Sequence, residues 1–120
     1  MGAALVGPDW HVTGINNGKQ AVSSTITGSV VTATFAADGS VTGSAGCNLY
    51  NATYTLDGTA LKVSAPVSTR RFCDKPDGVM EQEAAFLAAL EKSVKVEASP
   101  QGLTLRGADG ETQLTLSETG

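Results

Sequence analysis

The chain has 120 residues, a formal net charge of −4 and only 5% aromatic side chains. That length suits a single domain over 1–120, burying roughly two thirds of its unfolded surface around Val, Leu, Ile and Ala. Eight scattered Lys and Arg residues do not supply the concentrated basic face that nucleic-acid binding needs, and no apolar run approaches the roughly 20 residues that span a bilayer.

The opening Met1–Pro8 lacks the basic flank and the length of a secretory signal. That leaves a cytosolic protein or an exported domain in its mature form; Thr- and Ser-rich strands, low charge and two cysteines favour the second. Strands are expected at Trp10–Gly14, Ser29–Phe35, Ser40–Ser44, Ala52–Leu56, Ala60–Ser64, Val67–Arg71, Val94–Ala98, Leu103–Arg106 and Thr112–Leu116. Asp38-Gly39, Asp57-Gly58 and Asp109-Gly110 separate them as hairpin turns, because a tight turn needs positive φ, which Gly adopts without strain. Asn17-Gly18 and Gln101-Gly102 read as further turns. Leu103 and Leu105 share one strand face, as do Leu114 and Leu116, with polar residues opposite.

One segment breaks this period. Residues 77–93 are rich in helix formers, and Val79, Met80, Phe86, Leu87 and Leu90 make an apolar stripe. Asp77 is the expected N-cap, Glu81 and Glu83 sit near the positive end of the dipole and Lys92 near the negative end. The fold class is therefore α+β: a curved antiparallel sheet or open β-barrel with one amphipathic helix packed against it.

Gly43–Tyr54, G-S-A-G-C-N-L-Y-N-A-T-Y, resembles the G-x-x-G-C-N-x-(aromatic)-x-G-x-Y signature of META domains, the HslJ-like heat-shock protein family. Thr69-Arg70-Arg71-Phe72-Cys73 is similar to that family's T-x-M-x-C segment, and Val79–Leu90 to the helix after it. Trp10 and Leu103-Thr104-Leu105 complete the order, so the resemblance spans essentially the whole chain. Arg71 stands where the family often has Met, Phe72 where it has a small residue, and Asn51 where it often has Gly. The resemblance implies a secreted, periplasmic or cell-envelope bacterial domain, often lipoprotein-borne, with any signal, lipobox or lipid anchor upstream of this sequence. It also implies a loose link to stress and antibiotic tolerance, and neither a cofactor nor an established catalytic activity.

Two cysteines and one histidine cannot form an ordinary four-ligand zinc site. A Cys47–Cys73 disulfide would stabilise the fold by about 3 to 4 kcal/mol in the chain-entropy model; two buried reduced thiols are the alternative. Arg70, Arg71 and Lys75 would favour a Cys73 thiolate, but nothing in the sequence pairs that thiol with a base. His11 beside Trp10 reads as structural, no G-x-S-x-G elbow exists, and Gly18-Lys19 is followed by Gln20 rather than Ser or Thr, which excludes a phosphate loop. No catalytic residue is assigned.

Arg70 and Arg71, adjacent in a strand, would point to opposite faces. They read either as edge charges that discourage aggregation or as a small anion or partner site shared with Lys75. The expectation is a monomeric, non-catalytic interaction scaffold presenting Asn48, Tyr50, Arg70, Arg71 and Lys75 to an unidentified protein partner, in one version a protease. The alternative is a barrel that encloses a small apolar ligand.

Overall fold

The computed structural model describes residues 5–17, 22–26, 28–99 and 102–118. The strands are β1 (Asp9–Asn16), β2 (Val22–Ser24), β3 (Thr32–Phe35), β4 (Ser40–Ser44), β5 (Leu49–Asp57), β6 (Ala60–Val63), β7 (Val67–Ser68), β8 (Lys95–Ser99), β9 (Gly102–Arg106) and β10 (Thr112–Ser117). The single helix among the described residues is α1 (Val79–Lys92), between β7 and β8.

All pairings between these strands are antiparallel, and the sheet runs β1-β3-β4-β5-β6-β8-β9-β10 before returning to β1. The barrel is thus closed, where the sequence allowed an open one. Closure rests on His11 opposite Ser117 and Ile15 opposite Leu114, which leaves neither strand with an unpaired edge there. It is narrowest between β6 and β8, where the ladder reduces to Ala60 opposite Lys95, flanked by Leu61 N–H to Val94 O and Val96 N–H to Thr59 O, both 2.9 Å. Two short strands lie off the ring. β2 extends the edge of β1, and β7 continues along β5 beyond β6.

The hairpin turns fall where Asp-Gly placed them, and Gly39, Gly58 and Gly110 adopt φ of 93°, 62° and 84°. The alternating leucines face inward: Leu103, Leu105, Leu114 and Leu116 are all at most 3% exposed. Around them the interior is filled by Trp10, Phe35, Tyr50, Tyr54 and Phe86. The rings pack edge-on, Phe35 to Tyr54 at 5.1 Å and Tyr50 to Phe86 at 5.3 Å, the arrangement their quadrupoles favour. Trp10 Nε1 donates to Leu5 O at 2.9 Å, so the indole is buried without an orphaned donor. His11 is half-buried on β1.

Several boundaries differ from the sequence reading. β3 starts at Thr32, not Ser29, because Val31 makes only an isolated bridge with Ala45. β2 was not foreseen; three residues, two of them Ser, carry too little pattern. The helix is capped by Gly78 at φ 84° with no side-chain cap bond, so Asp77 is not the N-cap. Its buried face is Val79, Glu83, Phe86, Ala89 and Leu90, while Met80 and Leu87 lie half-buried at its margin. The strand expected over Val67–Arg71 ends at Ser68. Consequently Arg70 and Arg71 are in a loop. The expected turns at Asn17-Gly18 and Gln101-Gly102, and the Gly18-Lys19 pair, lie wholly or partly outside the described residues.

Candidate functional site

β7 stops because its partner β5 begins at Leu49, and the chain before Leu49 turns away through Gly46, whose φ is 116°. Residues past Thr69 therefore have no strand to pair with. The Asn48 side chain takes that strand's place. Its Oδ1 accepts from Arg71 N–H at 2.6 Å and from Thr69 Oγ1 at 2.8 Å, and its Nδ2 donates to Arg71 O at 3.0 Å. One carboxamide thus bonds both main-chain groups of Arg71, as a backbone neighbour would.

Asn48 is held in turn by Glu83 on the buried face of α1. Glu83 Oε1 accepts from the main-chain N–H groups of Cys47 at 3.1 Å and Asn48 at 2.8 Å, and Oε2 accepts from Asn48 Nδ2 at 2.7 Å. Three donors converge on an acceptor-only group, and Glu83 and Asn48 are 6% and 2% exposed. Such a network fixes geometry because each member has one workable orientation. Cys47 and Cys73 are joined in a disulfide with a Cα–Cα separation of 5.9 Å, which ties the middle of the loop to the same platform.

The sequence-predicted surface therefore splits in two. Asn48 and Tyr50 are buried: Asn48 is spent on the network, and Tyr50 donates its hydroxyl to Thr32 O at 2.7 Å. Neither is available to a partner. Burial also pushes the Tyr50 hydroxyl well above the ordinary phenol range. Arg70, Arg71 and Lys75 are exposed on the tethered loop, where Lys75 makes only a long, solvated pair with Asp77 at 4.0 Å. Between them stands Phe72, 79% exposed and the most exposed of the large apolar residues, with Leu49 and Val67 at 66% and 65% nearby on β5 and β7. Sequence reasoning did not assign Phe72 a site role. Its signal was an aromatic next to a cysteine in a chain with few aromatics.

The same reasoning read Glu83 as a dipole residue. Its signal was position: 79, 83, 86 and 90 follow the four-three-four spacing of one helix face, which puts a carboxylate inside the apolar stripe.

Elsewhere, a cleft of about 630 Å³ flanks the helix, lined in part by Asn16, Ala85, Lys92, Glu111 and Gln113, and no residue of the tethered loop lines it. Among the described residues, no cluster of three or more His, Cys, Asp or Glu has the arrangement to hold a metal, and no helix is long and apolar enough to cross a membrane.

Comparison with solved structures supports the barrel architecture. An NMR structure of a protein from Burkholderia xenovorans is 23% identical, with a TM-score of 0.73 over 96% of this chain and 83% of that one. The crystal structure of a DUF4847-family protein from Bacteroides vulgatus is 16% identical, with a TM-score of 0.68 over 98% of this chain and 96% of that one. At such identities the likeness is one of fold. No curated protein matches the sequence. The profile of the META domain, however, matches residues 3–119, the span that holds the barrel, the helix and the disulfide-tethered loop, and the chain belongs to the META domain family.

Proposed function

We propose that this META domain is a non-catalytic binding module of an oxidising compartment, secreted, periplasmic or at the cell envelope, and that the loop from Thr69 to Asp77 engages a protein partner. The observation that carries the reading is Phe72, 79% exposed yet mounted between an anchored Arg71 and a disulfide-bonded Cys73. A large exposed aromatic on a pre-ordered segment costs little entropy to dock, which is how hot-spot residues reach high affinity. Arg70, Arg71 and Lys75 supply a charged rim. The disulfide supports an oxidising setting, and pairing both cysteines leaves no free thiol to act as a nucleophile. The stress association rests on the family resemblance alone.

The competing reading, an apolar ligand inside the barrel, has less support because Trp10, Phe35, Tyr50, Tyr54 and Phe86 occupy the interior. The test is partner capture from the matching envelope or culture fraction, quantified for the native domain, Phe72→Ser and the pair Arg70→Glu, Arg71→Glu. The reading expects a partner retained by native protein and lost by both variants, whose thermal stability stays unchanged. Equal capture by all three would refute it.

A further inference from the structure

We infer that the segment Ser68–Phe72 is an open β-edge that accepts an extended, acidic peptide segment of the partner as an added strand. This rests on the loop being the binding surface and names what it binds. The β5–β7 register sets Asn51 opposite Val67 and Tyr50 opposite Ser68, and Thr69 N–H donates to Leu49 O at 3.0 Å. In an antiparallel ladder successive residues direct their main-chain groups to opposite sides. Val67, Thr69 and Arg71 therefore face β5 and its Asn48 surrogate, and Ser68, Arg70 and Phe72 face away.

The hydrogen bonds follow this alternation. Thr69 and Arg71 are bonded inward, while among the described residues none bonds to the main chain of Arg70 or Phe72. No turn or bend interrupts the chain from Val67 through Lys75. Pro66, which has no N–H, bounds the edge on one side, and the Cys47–Cys73 disulfide bounds it on the other. The result is a short row of outward donors and acceptors held in strand register by a side chain, the arrangement that β-augmentation uses.

Charge selects the occupant. Natural edges carry cations to repel other edges, and two copies of this chain paired antiparallel through the segment would bring Arg70 and Arg71 against their own kind. A strand bearing Asp or Glu would instead be drawn in, its acids meeting Arg70 and Arg71 and an apolar residue covering Phe72, which shares a strand face with Arg70.

The experiment pans a displayed library of random linear peptides against the oxidised domain and then follows backbone amide exchange of each complex by NMR. The expected peptides combine acidic residues with a neighbouring apolar one. Their binding slows exchange at Ser68, Arg70 and Phe72 by about tenfold or more while Thr69 and Arg71 keep the protection they already have. N-methylation of alternate peptide amides abolishes binding in one phase and spares it in the other, and Arg70→Glu shifts selection toward basic peptides. Failure to select any peptide, selection without acidic preference, or a concentration-dependent dimer protecting the same amides would overturn the inference. If Phe72→Ser abolishes partner capture but the three outward amides stay unprotected in the complex, the loop docks through side chains alone. The binding role then stands and the added strand falls.

Discussion

Replacing Glu83 by Gln tests whether the buried carboxylate is what holds the candidate site. The change keeps the shape and removes the charge, and one of the two terminal atoms becomes a donor. With the amide oxygen beside the Cys47 and Asn48 N–H groups, the new NH2 faces Asn48 Nδ2 across a 2.7 Å contact; turned the other way, it faces two main-chain donors. Asn48 cannot rotate to relieve this, because its Oδ1 already accepts from Thr69 and Arg71 and its Nδ2 donates to Arg71 O. At least one bond to a charged acceptor is lost and a buried donor is orphaned, each worth about 1.5 to 3 kcal/mol. Removing a buried charge without a cationic partner returns part of that cost, leaving a net loss of about 2 to 3 kcal/mol. At about 4 °C per kcal/mol for a domain of this size, the midpoint falls by about 8 to 12 °C. The assay is urea and thermal unfolding of the oxidised protein, followed by Trp10 fluorescence and circular dichroism. A double-mutant cycle with Asn48→Ala accompanies it and should give a coupling above about 1 kcal/mol. A Gln variant within about 0.5 kcal/mol of native, or additive losses in the cycle, would refute the assigned role.

Three further outcomes are expected. Replacing both Cys47 and Cys73 by Ser opens a crosslink spanning 26 residues and should cost about 3.5 kcal/mol by the chain-entropy relation, read from urea midpoints; a cost under about 1 kcal/mol would contradict it. Gly43→Ala should destabilise by about 2 kcal/mol or more, since a Cβ there would land on the Thr32 carbonyl across β3–β4, and amide exchange on β3 should rise; an unchanged melting temperature would refute this close approach. Burial raises the Tyr50 hydroxyl above its ordinary value of 10.0, so the unfolded chain ionises first. Its contribution is complete below that pH and is lost as pH rises toward the folded value. Tyr50→Phe should cost about 1 kcal/mol at neutral pH by losing the bond to Thr32 O but flatten the alkaline decline in stability; parallel pH profiles would argue against it. Tyr54, shifted the same way by desolvation and by Asp38, keeps the flattening incomplete.

The parts of this architecture legible in the sequence are those fixed by local chemistry. Asp-Gly pairs turn because of glycine's own φ preference, and leucines at 103, 105, 114 and 116 declare a face through a two-residue period. The helix over 79–92 likewise followed from its composition and stripe. What stayed hidden depends on residues distant in sequence. Asn48 read as a surface residue because nothing local reveals that it replaces a strand for Arg71, 23 positions on. Glu83 read only as a helix-dipole residue because its partners lie 35 and 36 positions earlier. The end of the strand at Ser68 followed from where β5 begins, not from any breaker near Arg70.

The pairing of β1 with β10 has a kinetic and engineering consequence. His11 and Ser117 are neighbours across more than a hundred positions of chain, so the ring cannot shut until β10 is present, and such long-range closure slows folding. Those two strands also set the start of β1 beside the end of β10. Joining them with a short linker and reopening the polypeptide at the Asp57-Gly58 hairpin would leave the same ring of strands. It would also make the β1–β10 seam local and hand the distant pairing to β5 and β6, so the order in which the ring closes would change.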